Sequence, residues 1–242
     1  MRRAEALARL FRGIPGKRDG EAPREAARTL RRRLSLLRSE EVGRALLASR
    51  AEATAPHPCT LVFPGELPAV RVDAADVAAV ERSLFRWKRR LALEGGGAFA
   101  PRAAAETVLV RRTRRRLRRL LRNLAGLLPP DRETLHAARI AAKRVRYALE
   151  VLEPIDPQLR PLLRLLRSFQ DAAGDAHDLA ELAARVGAVA ATGAGDDLGL
   201  GPLMRALEAD TARALSTART QGAALAAPVE RLRKSLRTAE TR

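Results

Sequence analysis

Helical periodicity extends through almost the whole 242-residue chain, and this feature restricts the fold more than any other. Apolar residues recur every three or four positions, and strong helix formers, chiefly Ala, Leu, Arg and Glu, occupy most of the others. Helices are predicted near 3–12, 23–50, 74–93, 101–128, 132–153, 158–187 and 201–240. Gly222 and Pro228 are two candidate breaks in the last helix. Because the connections are short and rich in Gly or Pro, the sequence predicts an all-α protein of antiparallel helical bundles.

The segment 57–72 lacks this periodicity, because prolines divide it into short apolar runs. It predicts an irregular loop or a small two-stranded ribbon. The glycines at 95–97 follow the next helix and mark the main boundary. We therefore predict a first helical half over 1–97, with an irregular Pro-rich insert at 54–72, and a second helical bundle over 98–242.

The chain carries a formal charge of +18, and the excess is concentrated in two blocks. Residues 1–50 contain 14 basic and 6 acidic residues, and residues 101–130 contain 9 basic residues and 1 acidic residue, whereas 51–100 is balanced. Of the 46 basic residues, 42 are Arg, whose rigid guanidinium matches phosphate or carboxylate oxygens in pairs. This composition fits a polyanionic partner and a base-composition bias equally well, so the placement of the charges must decide between them.

The cysteine content and the hydropathy exclude several classes of protein. A single cysteine, Cys59, excludes an internal disulfide framework and a cysteine-based zinc cluster. No apolar run approaches the roughly 20 residues of a membrane span, and the N-terminal sequence is too short and too interrupted for a secretory h-region. On the sequence alone, we expect a cytoplasmic protein.

The helix at 132–153 separates an apolar face from a basic stripe. At about 100° per residue, the stripe consists of His136, Arg139, Lys143, Arg146, Tyr147 and Glu150. The opposite face consists of Ala138, Ala141, Ala142, Val145, Ala148, Leu149 and Leu152. Because the helix packs through its apolar face, we expect the basic stripe to point away from that seam.

The helix at 158–187 carries a polar stripe that changes sign along its length. The residues within about 40° of one line are Arg160, Arg164, Arg167, Asp171, Gly174 and Asp178. Such a face can bind an anion at its Arg end, while its Asp end orients basic side chains from a neighbouring helix. The alternative is a solvated face with surface ion pairs, each contributing less than about 1 kcal/mol.

The helix at 101–128 has a narrow apolar seam, and arginines cover the rest of its surface. The seam consists of Val110, Leu117, Leu120, Leu121, Leu124 and Leu128. The arginines are Arg111, Arg112, Arg114, Arg115, Arg116, Arg118, Arg119 and Arg122. Eight positive charges over about three turns repel one another unless anions neutralise them, so we expect this helix to be occupied by an anion or heavily screened when it works.

An internal repeat appears when the sequence is shifted by 111 positions. Ala26, Ala27 and Arg28 then align with Ala137, Ala138 and Arg139, and Arg32 and Arg33 align with Lys143 and Arg144. The match predicts two related halves.

Two segments of the second half resemble a known family. HAARIAAKRVRYALEVLEP at 136–154 is followed by LLRSFQDAAGDAHDLAEL at 165–182, and an Arg-rich helix that runs into PPDRETLH precedes them. These segments resemble the second-half signature of the CHAD family, the conserved histidine α-helical domain. The resemblance is close over about 98–242. The first half diverges, because Glu25 stands in place of the signature His and residues 54–72 contain no Gln-Asp…Gly…Asp element.

The resemblance implies two pseudo-symmetric helical bundles around a basic cavity or groove, which bind inorganic polyphosphate without catalysis. It also implies targeting to polyphosphate or polyhydroxyalkanoate granules in bacteria. Its signature residues are His136, Arg139, Lys143, Arg144 and Arg146, followed by the element Gln170, Asp171, Gly174 and Asp178.

The basic stripes and the resemblance together give one set of candidate residues. The candidate polyphosphate-binding residues are His136, Arg139, Lys143, Arg144, Arg146, Arg111, Arg115, Arg118, Arg160, Arg164, Arg167, Arg28, Arg32 and Arg33. Supporting roles are expected for Tyr147, Asp171 and Asp178, and Arg231, Arg233 and Lys234 are candidates for closing one end of the site. We expect His177, which lies off the polar stripe, to be structural. The sequence predicts no catalytic residue, cofactor or metal.

Two other functions remain open at the level of sequence. Nucleic-acid binding would use the same charge, but the chain has only seven aromatic residues, which are scattered and offer few platforms for bases. A phosphohydrolase or phosphotransferase would use Asp171, Asp175 and Asp178 to hold Mg²⁺. No nucleophile and base pair and no phosphate-cradling Gly loop accompany these carboxylates, so we expect a non-enzymatic binding protein.

Overall fold

The computed structural model describes residues 21–51, 62–63, 74–75, 77–82, 85, 102–127, 132–153, 156–192 and 200–238. The α-helices bounded within these residues are α1 Glu21–Ala51, α2 Arg102–Ala125, α3 Arg132–Leu152, α4 Arg160–Ala190 and α5 Leu200–Thr238. A 3₁₀ turn, Pro157–Leu159, precedes α4, and the described residues between 74 and 85 are also helical. The described residues contain no β-strand, which confirms the all-α prediction. The helix predicted near 3–12 lies outside the described residues.

Helices α2 and α3 form an antiparallel pair. The Asn123 side-chain amide donates a hydrogen bond to the Ala137 carbonyl at 2.9 Å, and the Arg116 guanidinium donates to the Arg144 carbonyl at 3.3 Å. Later positions in α2 therefore face earlier positions in α3. The pair is connected by residues 126–131, as expected for neighbouring helices joined by a short loop.

Helix α4 runs antiparallel to α3 and begins at a capped turn. The Asp156 carboxylate accepts a hydrogen bond from the Gln158 backbone N–H, and Pro157 occupies the first position of the turn, where a missing N–H costs nothing. Glu150 near the end of α3 lies beside Arg167 near the start of α4. The chain therefore reverses its direction between the end of α3 and the start of α4.

Helix α5 returns along α4 and also contacts α2, which closes a four-helix bundle of α2, α3, α4 and α5. Its Gly222 lies against Phe169 of α4, against Leu124 near the end of α2 and against Leu127 just after that helix. Farther along the α4–α5 pair, Gly187 lies against Met204. Four antiparallel helices with short connections agree with the architecture expected from the helical pattern.

The core of this bundle is made by the apolar faces that the sequence predicted. Among the fully buried side chains of α2 and α3 are Leu117, Leu120, Ala142, Val145 and Leu149. Ala138, Ala141 and Ala148 are buried as predicted, whereas Leu152 and Leu121 are partly buried against the core. Leu128 lies outside the described residues. Burial of these side chains stabilises the bundle by about 25 cal/mol for each Å² of apolar surface removed from water.

Helix α1 packs beyond the bundle, against the far halves of α4 and α5. Leu47 of α1 is fully buried in a second core, made with Leu182 and Val186 of α4 and with Leu207 of α5. An ion pair of 2.6 Å between Arg50 and Asp210 also joins α1 to α5. Helices α4 and α5 therefore belong to both cores and connect the first part of the chain to the bundle.

Helix α5 is continuous, so neither candidate break interrupts it. Gly222 is a point of close approach rather than an end, since a Cβ there would lie 3.0 Å from Leu127 Cδ1. Pro228 lies inside the helix between Leu225 and Val229, which are both fully buried. Packing on both sides of the proline holds the helix together despite one missing backbone hydrogen bond.

The irregular segment is described only at Val62 and Phe63, and both are buried in the second core. Neither residue is in a strand. The rest of the loop or ribbon prediction for 57–72 lies outside the described residues. The pseudo-two-fold repeat stays a prediction.

Candidate functional site

An open pocket of about 170 Å³ lies where α1, α3 and α4 meet. Its cationic lining residues come from all three helices and are Arg38, Arg139, Lys143 and Arg185. The lining also includes two carboxylates, Asp178 and Glu181. Cations therefore outnumber carboxylates in the lining by two to one, which favours an anionic ligand.

Arg139 reaches the pocket by lying across Gly174 of α4. Its Nη2 atom is 3.0 Å from the position that a Cβ at Gly174 would occupy. Gly174 is itself buried. The glycine of the sequence signature thus leaves the space through which a guanidinium of α3 crosses the surface of α4.

Two histidines stand beside these cations, one on α3 and one on α4. The ring centroids of His136 and His177 are 5.6 Å apart. Desolvation lowers the pKa of His136 below its usual value of 6.5, and repulsion lowers it further, in decreasing order, from His177, Arg139, Lys143 and Arg132. A bound polyanion would reverse this repulsion and favour the protonated imidazole.

Glu181 organises the α1 side of the pocket. It accepts a hydrogen bond of 2.9 Å from the Ser39 hydroxyl, and its carboxylate lies 3.5 Å from the Arg185 guanidinium. The imidazole Nε2 of His177 is 3.7 Å from the same carboxylate. Because its charge is shared among these neighbours, Glu181 repels a bound anion less than an isolated carboxylate would.

Phe63 forms a wall of the pocket that the sequence did not identify. Its ring centroid lies 5.1 Å from the guanidinium carbon of Arg185 and 5.7 Å from that of Arg44, within cation–π range. The Arg44 guanidinium also donates to the Phe63 carbonyl at 3.3 Å. The ring lies against Gly43, where a Cβ would be 2.5 Å from Phe63 Cζ.

A second, open depression of about 310 Å³ lies between α2 and α3, and we call it the α2–α3 groove. It is lined by Arg115, Arg116, Arg119, Ala141 and Arg144. The sequence placed Arg115 and Arg144 in one set with Arg139 and Lys143, whereas the structure places the two pairs in different depressions.

Other predicted binding residues are engaged in ion pairs. Glu150 lies 3.7 Å from the Arg146 guanidinium and 3.6 Å from that of Arg167. Arg146 also lies over the ring of Tyr147, with its guanidinium carbon 5.0 Å from the centroid. These four side chains form a polar cluster along the α3–α4 seam, and none of them lines the pocket.

The remaining candidates are distributed over the surface. Arg160 pairs with Glu153 at 2.6 Å, and Arg164 is exposed on the same helix. Arg28, Arg111 and Arg118 are exposed and line neither depression. The side chains of Arg32 and Arg33 lie outside the described residues.

The C-terminal basic residues contribute to neither depression. Arg231, Arg233 and Lys234 line neither of them, and Arg233 forms a two-pronged pair with Glu230 of its own helix. A role in closing one end of the site therefore has no support from their positions.

The carboxylates and the buried amide of α4 occupy different environments. Asp178 lines the pocket, whereas Asp171 is exposed and Gln170 is buried with its Nε2 atom unpaired. Desolvation raises the pKa of Asp175, and Asp178 and Asp171 raise it further. Within the described ranges, no group of three or more His, Cys, Asp or Glu side chains is placed to hold a metal ion.

Sequence reasoning missed several residues of the pocket, and only some of them leave a trace in the sequence. Polar side chains recur every four residues in this helix at His177, Glu181 and Arg185, so they form a second stripe beside that of Asp178. This spacing could have indicated that His177, predicted as structural, faces a polar site. Arg38 and Phe63 carry no local signal, because their place depends on how α1 and the irregular segment pack against α4.

Comparison with known proteins gives one match. The family model described as CHAD domain matches residues 1–187, which is more than three quarters of the chain. The matched range includes the first half, which diverges from the signature, and ends inside α4, so it leaves out α5. No curated protein and no solved structure matches significantly. In the part of the chain that the structure describes, no helix is both long and apolar enough to cross a bilayer.

Proposed function

The chain belongs to the CHAD family, which is associated with polyphosphate binding, and we propose that its pocket binds inorganic polyphosphate without catalysing a reaction. One observation carries the proposal: Arg38, Arg139, Lys143 and Arg185, from three different helices, converge on one pocket. Each charge-assisted hydrogen bond to a phosphate oxygen contributes on the order of 1.5–3 kcal/mol. Several such bonds, together with counterion release, would give tight binding that weakens steeply with salt.

The chemistry of the pocket favours phosphate over nucleobases. Its aromatic ring, Phe63, is 4% exposed and is covered by two guanidinium groups, so it offers no open face to a base. Proteins that bind single strands usually stack bases on exposed aromatic rings. Polyphosphate has no bases, so the cations of the pocket are sufficient to bind it.

A binding role fits the pocket better than a phosphohydrolase role. Of the two carboxylates that line the pocket, Glu181 accepts a hydrogen bond from Ser39, and Asp178 lies among basic lining residues. Asp171 and Asp175 share one helix with Asp178, so they do not converge from separate elements as ligands of a catalytic metal usually do. We therefore assign no catalytic residue.

The proposal includes a location in the cytoplasm, on polyphosphate or polyhydroxyalkanoate granules. The family resemblance supports it, since granule targeting is part of what the CHAD signature implies. A fluorescent fusion of the full chain should mark granules in cells that accumulate polyphosphate, and the signal should become diffuse in cells that cannot make it. A fusion that remains diffuse in both would contradict this part of the proposal.

Competition binding tests the function directly. Long polyphosphate, tripolyphosphate, duplex DNA and single-stranded RNA would compete for the protein over a series of salt concentrations. The double variant Arg139→Ala with Lys143→Ala should bind long polyphosphate at least about tenfold more weakly, because each lost contact exceeds the 1.4 kcal/mol of a tenfold change. The variant Arg205→Ala with Arg219→Ala removes the same charge from exposed positions of α5 and serves as the matched control.

Two results would overturn the assignment. One is equal affinity for duplex DNA and long polyphosphate. The other is equal polyphosphate affinity in the pocket variant and the α5 control, with both variants folded as judged by circular dichroism. The first result would favour nucleic-acid binding by the same charge.

A further inference from the structure

The α2–α3 groove is built from arginines and contains no carboxylate in its lining. Arg115 and Arg119 are exposed, and because they are four residues apart on α2 they lie on the same face, about 6 Å apart along the axis. Neither side chain forms an ion pair within the described part of the chain. Ala141 of α3 is 3% exposed and lies at the base of the groove, where its small side chain leaves space for a ligand.

The wall formed by α3 is held in place by a backbone contact. The guanidinium of Arg116 donates to the carbonyl of Arg144 at 3.3 Å, so it crosses from α2 to α3. Arg144 itself lines the groove. Cations therefore stand on both sides of a depression whose two walls are tied together.

The groove is separate from the pocket. The two depressions share no lining residue. Lys143 lines the pocket and Arg144 lines the groove, and adjacent residues of a helix point about 100° apart. An anion bound in one depression therefore lies on a different flank of α3 from an anion bound in the other.

The arginines that line the groove repel one another, and a bound anion would relieve this repulsion. Like charges four residues apart on a helix repel each other, and Arg115 and Arg119 have this spacing. In the pocket, Asp178 and Glu181 offset part of the repulsion among the lining cations, whereas the lining of the groove contains no carboxylate. The groove is thus the more strongly cationic of the two depressions.

We propose that the α2–α3 groove is a second polyphosphate site, so that each protein molecule has two separate sites for polyphosphate. This inference rests on the proposed function, because it takes the same ligand class. Polyphosphate is favoured over nucleic acid here because the lining has no aromatic side chain on which a base could stack. A protein with two such sites on different flanks of one helix can join two polyphosphate chains, or hold one long chain at two points with higher avidity.

Calorimetric titration with tripolyphosphate tests the proposal, because this ligand is too short to span both sites. The full chain and the α5 control should each bind two molecules of tripolyphosphate. The groove variant Arg115→Ala with Arg119→Ala should bind one, and so should the pocket variant Arg139→Ala with Lys143→Ala. Both positions of the groove variant are exposed, so the change should leave the fold intact.

The outcomes distinguish the groove proposal from the pocket proposal. If the groove variant binds as many molecules as the α5 control, the groove proposal is overturned. If instead the pocket variant matches that control while the groove variant loses a molecule, the pocket proposal fails and the groove stands. Loss of single-stranded RNA binding in the groove variant, with two tripolyphosphate molecules retained, would overturn polyphosphate as its ligand.

Discussion

The guanidinium of Arg139 crosses α4 at Gly174, with Nη2 3.0 Å from the position of a Cβ on that residue. A methyl group there would be in tight contact with the end of a flexible side chain, which can move aside. The guanidinium would then leave its place beside the pocket, while the packing of the two helices would change little. Gly174 thus controls the position of a charge more than the stability of the fold.

Replacement of Gly174 by Ala should therefore separate binding from stability. We expect weaker polyphosphate binding together with an unchanged or higher melting temperature, since Ala in a helix interior is favoured over Gly by up to about 1 kcal/mol. Thermal unfolding and polyphosphate titration of the same samples would measure both effects. Gly187→Ala is the matched control, because its Cβ would meet Met204 Cε at an ordinary 3.6 Å and neither residue lines the pocket. Equal polyphosphate affinity in the two variants would contradict the role of Gly174.

Replacement of Gly43 by Ala should affect the fold near the pocket. A Cβ at this position would lie 2.5 Å from Phe63 Cζ, so the ring must leave its place in the second core. Overpacking of this kind typically costs about 1–3 kcal/mol. We expect a lower midpoint in denaturant unfolding and weaker polyphosphate binding, because the ring would no longer hold Arg185. If Gly43→Ala unfolds at the same denaturant concentration as the original chain, Phe63 does not occupy this position.

Polyphosphate binding should strengthen as the pH falls from neutral to mildly acidic values. Desolvation and the neighbouring cations hold the pKa of His136 below 6.5 in the free protein, so its imidazole is neutral at neutral pH. A polyanion stabilises the protonated ring, so binding takes up a proton and becomes tighter in acid. An NMR titration should find the His136 pKa raised by long polyphosphate, and His136→Gln should reduce the pH dependence of affinity. An unchanged His136 pKa on saturation would contradict the prediction.

The lowered pKa of His136 also makes the stability of the fold depend on pH. Because the folded-state pKa of His136 is depressed relative to the unfolded chain, its contribution to stability is fully present above about pH 6.5 and is lost as the pH falls. Without polyphosphate, mild acid should lower the melting temperature, and His136→Gln should lessen this decrease. A decrease of the same size in the variant would assign the effect to other groups.

The continuity of α5 can be tested at its two unusual residues. Pro228→Ala should raise the free energy of unfolding by up to about 3 kcal/mol, because it restores a hydrogen bond in the interior of a helix. Gly222→Ala should lower it, because its Cβ would lie 3.0 Å from Leu127 and 3.3 Å from the ring of Phe169. Chemical denaturation measures both changes. If the helix instead ended at Gly222, neither substitution would change the free energy of unfolding appreciably.

Much of the local structure followed from the sequence. The predicted helix at 132–153 is α3, Arg132–Leu152, and its predicted apolar face is the buried one. The prediction succeeds because a period of 3.6 residues fixes which side chains share a face, whatever the helix packs against. The candidate break at Pro228 was wrong because the packing of Leu225 and Val229 outweighs the local cost of the proline.

The sequence by itself thus determined the all-α class, the bounds of most helices and the basic stripe that carries Arg139 and Lys143. Only the tertiary structure decided that Arg38 and Arg185 join these residues, and that Arg144 turns to a groove with Arg115. The physical reason is that periodicity within a helix is a local property, whereas the partner of each face is chosen by the burial of side chains far apart in the chain. Two cations that look equivalent on one helix can therefore belong to different sites.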